Sequence, residues 1–382
     1  MQQMIHDPTS PPTTAHWTVD QPLGDVPAAV DTELVRFFAD RHADYDSIDP
    51  VVADGVDVLE LFVTGGGKRL RPLFAWAGAR AALSGGGGSL DPATGPADLL
   101  RAVGSLEFIQ ACALIHDDII DRSDTRRGRP TTHRWFEAFH RDHGWYGDAA
   151  GYGESQAILI GDLAFAWADD MFMDSGVDAA ALARAREPWR RMRSEVIAGQ
   201  MLDIALENSG SEDPTMSQKV NTYKTAAYTV ERPLHLGATL GGADAATVDL
   251  LRTAGRDIGI AFQLKDDHLG VFGDPAVTGK AAGDDLRSGK RTWLVMCALA
   301  SADRSDPATA ARLRAGIGTV TSDAEVDDLR QIIVDSGAAE QNSARVRELT
   351  DHAVATLRSG HLDTGIVDEI VTVADHLTDR RS

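Results

Sequence analysis

Three aspartates, Asp117, Asp118 and Asp121, close an apolar run in the segment GSLEFIQACALIHDDIIDRSDTRRGRPTTH, residues 104–133, and Arg126 and Arg127 follow after a short turn. On a helix turning ~100° per residue, Asp117 and Asp121 share a face about one turn apart. Two carboxylates ~5 Å apart at an effective dielectric of ~20 repel by roughly 3 kcal/mol, so a partly buried pair takes up protons or cations. Hard anionic oxygens suit Mg²⁺, which completes its octahedron with water and phosphate oxygens. The neighbouring guanidinium groups suit a phosphate. The same residues also fit the solvated acidic end of a helix, so the rest of the chain must decide.

A second acidic cluster lies in QLKDDHLGVFGDPAVTGKAAGDDLRSGKRT, residues 263–292, where Asp266 and Asp267 end a helical pattern. Gly273, Asp274, Pro275 and Gly279 mark a loop after it, and Lys280 and Lys290 are the nearby cations. Upstream, TGGGKRLRP, residues 64–72, combines three glycines with Lys68, Arg69 and Arg71 ahead of Pro72. Flexible backbone with exposed N–H groups and three cations suits a phosphate cradle, although a basic turn between helices fits as well. It is not a P-loop, since Arg69 stands where Ser or Thr is required and no strand precedes it.

The elements that must carry these residues read as helices. Apolar residues recur at helical spacing from Ala28 onward (Val30, Leu34, Phe37 and Phe38, then Val58, Leu59 and Phe62), and alternating strand patterns are scarce. Hydrophobic content of 43% is ample for a core in 382 residues. The expected organisation is a flexible tail over residues 1–27, rich in proline, and one all-α domain over 28–382. Residues 140–155, rich in Gly and Asp, read as a loop, and Pro233 as a kink in a helix. With 58 acidic against 37 basic residues the chain carries a formal charge of −21, which argues against nucleic acid as a partner. Two cysteines, Cys112 and Cys297, exclude a disulfide framework and fit a reducing cytoplasm. No secretory signal is expected at the N-terminus, nor any apolar run approaching the ~20 residues of a membrane span.

Taken in order, GGGKRLRP, DDIID with TRRG after it, YKT, and FQLKDD with GDPAVTGK resemble the motifs of the trans-isoprenyl diphosphate synthases, over nearly all of the chain beyond the tail. Each motif is weak alone, and the ordered set is specific. Within that family the chain looks like the short-chain enzymes that make farnesyl and geranylgeranyl diphosphate. The resemblance implies a single helical bundle around a central cavity, generally a homodimer, in which Mg²⁺ ions, three per site, bind an allylic diphosphate. It makes Asp117, Asp121 and Asp266 direct metal ligands, with Asp118 and Asp267 supporting them. Arg126, Lys224 and Lys280 would hold the allylic diphosphate, with Lys290 close by. Lys68, Arg71, Gln110 and Arg127 would hold isopentenyl diphosphate, while Thr225 and Gln263 would lie near the developing carbocation. Two positions depart from the family pattern: Gly270 stands where a third carboxylate of the second cluster is expected, and Gln110 where some relatives have histidine.

Side chains before Asp117 are expected to line the cavity below the diphosphate. Ala113, ~6 Å down the same face, and Cys112 are both small, and Leu106, ~16 Å down, is the first bulky floor. Geranylgeranyl diphosphate is therefore the expected product, with a longer or a farnesyl product as alternatives. A terpene cyclase, which has no need of Lys68, Arg71 and Arg127 together, and an impaired regulatory subunit are the competing readings.

Overall fold

The computed structural model describes residues 17–274 and 283–378. Among these the chain is helical throughout except for one two-stranded hairpin, so the expected all-α class holds. Contacts divide it into two compact units: the described residues up to Arg80 with Ser89–Arg184, and Ala81–Gly88 with those from Ala185 onward.

In the first unit the helices are α1 (Val26–Asp46), α2 (Pro50–Thr64), α3 (Leu70–Leu83, entering the second unit at its last turn), α4 (Pro96–Gly104), α5 (Leu106–Ile120), α6 (Thr132–Asp142) and α7 (Ala149–Met173). Their starts are written in the sequence: Asp49 accepts from Val51 N at 3.0 Å ahead of Pro50, and Asp148 from Gly151 N at 3.0 Å. An aromatic cluster holds α1, α5 and α7 together. Phe37 and Phe108 lie 4.9 Å apart, Phe38 and Trp167 5.6 Å, and Trp167 donates its Nε1–H to the Tyr45 hydroxyl at 2.9 Å.

Three boundaries differ from expectation. Trp17 packs edge-on against Trp76 at 5.6 Å, and Leu23 and Val26 are buried, so residues 17–27 belong to the packed fold and not to a flexible tail. Most of the 140–155 segment is helical. Gly144 and Gly147, at φ 62° and 99°, do lie in a turn between α6 and α7, whereas Gly153 serves packing, since a Cβ there would overlap the His133 carbonyl and sit 2.9 Å from Glu137 N. Finally, Pro96–Ile120 forms a 25-residue helical run apolar enough to cross a membrane, contrary to the expected absence; 67% of its most apolar window is buried inside the protein, which marks a core helix.

In the second unit, α8 (Ala179–Ser209, begun in the first unit) is followed by α9 (Pro214–Val220), a π-helical stretch over Asn221–Glu231, α10 (Arg232–Leu240) and α11 (Ala245–Phe272). Shorter helices run from Asp284–Ser288 to Thr364–Thr378. Pro233 cannot donate a backbone hydrogen bond to the turn before it, and the widened π turns sit immediately upstream, which is the form the expected kink takes. Two glycines clasp that stretch. A Cβ at Gly199 of α8 would lie 2.7 Å from Lys224 Cα, and one at Gly259 of α11 would lie 2.6 Å from Ala226 Cα. The far end is held by charge: Glu231, 2% exposed, accepts from Arg252 and Arg256, while Arg232 grips Glu195 of α8 at 2.8 and 2.9 Å. Burial alone would raise the Glu231 carboxyl, but the arginines hold it below its ordinary range.

Gly259→Val should lower stability by about 2 kcal/mol or more through overpacking, measured by urea unfolding. Gly24→Ala, where nothing lies within 4 Å of the new Cβ, should change little. Equal midpoints for Gly259→Val and wild type would contradict the clasp.

Candidate active site

In the first unit α5 carries Leu106, Gln110, Cys112, Ala113, Asp117 and Asp118, with Asp121 at its C-cap. Asp118 is completely buried, and the Arg126 Nε–H is shared between its two oxygens at 2.8 and 2.9 Å, with Nη2 2.6 Å from Oδ1. Arg126 Nη2 also lies 3.9 Å from Asp117 Oδ2. Burial pushes the Asp118 carboxyl above its ordinary range and Arg126 pulls it only part of the way back.

Arg126 is placed by a hairpin of β1 (Thr125–Arg126) and β2 (Arg129–Pro130), pairing Arg126 with Arg129. Its two-residue turn, Arg127–Gly128, has positive φ at both positions, 52° and 73°, as a type I′ turn requires. Glycine adopts this readily; arginine pays roughly 1–2 kcal/mol. Arg127 makes use of that strained backbone by donating through Nη1 to the Gly66 carbonyl, and a Cβ at Gly67 would lie 3.3 Å from Arg127 Nη2. The glycine-rich loop and the arginine pair, 60 positions apart in sequence, are thus joined (Gly67 to Arg127). Lys68 is exposed in this loop and Arg71 lies in the first turn of α3.

Arg69 behaves otherwise. It was expected to add charge to the basic turn, but it points inward, 3% exposed, donating to Glu107 at 2.6 Å, Asp31 at 2.7 Å and the Val63 carbonyl at 2.7 Å. It fixes the loop against the start of α5, while Lys68 stays exposed. On α5 itself, Cys112 Sγ sits 3.7 Å from His116 Nδ1, and the His116 ring occupies the space a Gly161 side chain would fill. Burial pushes the Cys112 thiol up to about 12, so it serves as a small neutral filler. Leu106 is fully buried and Ala113 is partly buried.

In the second unit the π-helical stretch carries Lys224 and Thr225. Lys224 Nζ donates to Asp203 Oδ2 of α8 at 2.6 Å. The acidic pair lies inside α11 and not at its end: the helix continues to Phe272. Asp266 is exposed, whereas Asp267 is 4% exposed and accepts from the Gln263 amide at 2.6 Å. The other Asp267 oxygen, Oδ2, has no hydrogen-bond partner among the described residues. Burial and then the charge of Asp285 push the Asp267 carboxyl up to about 8. Lys290 Nζ stands 3.8 Å from Asp285 Oδ1. Lys280 lies outside the described residues. Two partners escaped the reading of the sequence. Asp203 has no motif around it pointing to Lys224, and Asp285 lies beyond the acidic pair in the 263–292 segment with nothing in its spacing that points to Asp267.

Each unit therefore offers a partly buried carboxylate cluster flanked by cations, a donor set fitted to divalent metal and diphosphate. The sequence matches the polyprenyl synthetase family over residues 56–335, most of the chain. The chain belongs to that family. This polyprenyl synthetase is 34% identical over 316 residues to a geranylfarnesyl diphosphate synthase of Aeropyrum pernix, covering 81% of the chain and 88% of the relative. It is 29% identical to a (2E,6E)-farnesyl diphosphate synthase of Mycobacterium bovis, covering 83% and 80%. Among solved structures it resembles a geranylgeranyl pyrophosphate synthase from Corynebacterium glutamicum, complexed with isoprenyl diphosphate and magnesium, with a TM-score of 0.89 and 47% identity over 94% of this chain and 100% of that one. The synthetase is a prenyltransferase of the isoprenyl diphosphate synthase type, and the relatives' names span three product lengths.

Arg69→Ala should cost about 3–5 kcal/mol in urea unfolding because it strands buried Glu107 without its counter-charge. Lys68→Ala should leave the unfolding midpoint within error and weaken diphosphate binding instead. A Lys68→Ala protein that is as destabilised as Arg69→Ala would show that the two cations have been assigned the wrong way round.

Proposed function

We propose that this enzyme condenses isopentenyl diphosphate with an allylic diphosphate and releases geranylgeranyl diphosphate as its main product. Mg²⁺, three ions held by Asp117, Asp121 and Asp266, would act as a Lewis acid on the allylic diphosphate so that its C–O bond ionises. The carboxylate donor set fits such ions, and among the described residues the buried Asp267 Oδ2, next to Asp266 in sequence, has no hydrogen-bond partner.

The chain's own residues bind and orient. Arg126, Lys224 and Lys280 hold the allylic diphosphate, with Lys290 as a further cation, and Lys68, Arg71, Gln110 and Arg127 hold that of isopentenyl diphosphate. Gln110 lacks a positive charge but donates a hydrogen bond as histidine would. The Thr225 hydroxyl and the Gln263 carbonyl present dipoles to the positive charge as it passes from the allylic carbon to the new bond. Gln263 is oriented for this by its amide donation to Asp267. The departing diphosphate takes the final proton, so no protein base is required. The enzyme works as a cytoplasmic homodimer in this reading.

What supports the product assignment is side-chain size along α5: Ala113 and Cys112, before Asp117, are small, and Leu106, fully buried at the start of the helix, is the bulky residue that would close a cavity on that side. Incubation with Mg²⁺, isopentenyl diphosphate and farnesyl diphosphate, followed by mass spectrometry, should yield the twenty-carbon diphosphate. A hydrocarbon would identify a cyclase, and unreacted substrates a regulatory subunit. Ala113→Phe should shift the product towards farnesyl diphosphate; an unchanged distribution would remove Ala113 from the cavity wall.

A further inference from the structure

Gly270 breaks the acidic pattern of the second cluster, and the structure shows what fills its place. A Cβ built at Gly270 would overlap the Asp285 carboxylate at Oδ2 and Cγ and lie 3.0 Å from Oδ1. No side chain at position 270 can coexist with Asp285 as it stands. The carboxylate therefore occupies the space where a third acidic side chain on α11 would begin.

Asp285 is held there firmly. It is 6% exposed, in the single-turn helix Asp284–Ser288 between two left-handed glycines, Gly283 at φ 74° and Gly289 at φ 85°. The turn closes with Lys290 N donating to the Asp285 carbonyl at 2.9 Å, and a Cβ at Gly283 would overlap Val326. Asp267, near enough to feel the Asp285 charge, is more than nine-tenths buried, with Oδ2 unpartnered among the described residues. Lys290 Nζ stands 3.8 Å from Asp285 Oδ1. A buried carboxylate oxygen without a hydrogen-bond partner is tolerated where a cation joins it.

We infer that Asp285 supplies the third carboxylate of the second metal cluster, replacing from a following turn the side chain that Gly270 lacks. The inference rests on the proposed role of Asp266 and Asp267 in holding Mg²⁺ for a diphosphate. It also explains why the cluster can dispense with an acidic residue at position 270 without losing charge: the glycine is what admits the substitute.

A double-mutant cycle tests it, with isothermal titration calorimetry of inorganic pyrophosphate in saturating Mg²⁺ as the readout and melting temperatures as the control. Asp285→Asn, which keeps the shape and removes the charge, should weaken pyrophosphate binding about tenfold or more. Gly270→Asp alone should also weaken binding, because two side chains then contend for one space. Gly270→Asp combined with Asp285→Ala should recover affinity to within about threefold of wild type, as a charge moved between two backbones would. Unchanged affinity in Asp285→Asn, or no recovery in a folded double variant, would overturn the inference while leaving the parent reading standing. A wild-type protein that binds no Mg²⁺-pyrophosphate would overturn both.

Discussion

Asp118 sits completely buried at the end of an apolar helix, and the grip of Arg126 on both of its oxygens makes its charge tolerable there. Truncating one partner of such a pair costs about 3–5 kcal/mol, because the charge left behind is desolvated and unanswered. The same constraint recurs at other charges in this fold. Arg69 answers Glu107 at the start of α5, three arginines surround Glu231, and Lys224 meets Asp203. Pairing fixes geometry as well as charge. A guanidinium held by two carboxylate oxygens cannot rotate away, so the hairpin that carries Arg126 is positioned by the aspartate it serves.

The second unit solves a related problem with backbone. Lys224 and Thr225 are presented on an eleven-residue π-helical stretch, a conformation that packs poorly by itself. Here Gly199 and Gly259 let two neighbouring helices approach within van der Waals contact of its main chain, and Pro233 prevents regular α-helical bonding from resuming too early. The glycines save the space of a side chain at the two points where the stretch must be pressed into place.

Much of this was legible in the sequence, and the failures have physical causes. Helical periodicity and the spacing of Asp117 from Asp121 located α5 and its acidic end, because burial along one face leaves a pattern of ~3.6 residues. Periodicity gave no warning that Arg69 turns inward while Lys68 stays out, since both cations read alike until Glu107 is placed in space. Gly151 and Gly153 looked like loop residues and proved to be helical, because glycine serves close packing as readily as turning. Asp285 was hidden for a different reason. Its role depends on a residue that is missing fifteen positions earlier, at Gly270, and absence of a side chain has no periodicity to read.

We propose that the acidic residues of α5 and those of α11 act together on one diphosphate through divalent ions. Anomalous scattering from crystals grown with Mn²⁺ and pyrophosphate measures this most directly. The account predicts Mn²⁺ peaks bonded to Asp117, Asp121 and Asp266 carboxylates around a single pyrophosphate. Peaks at one cluster alone, or a separate pyrophosphate at each, would contradict it.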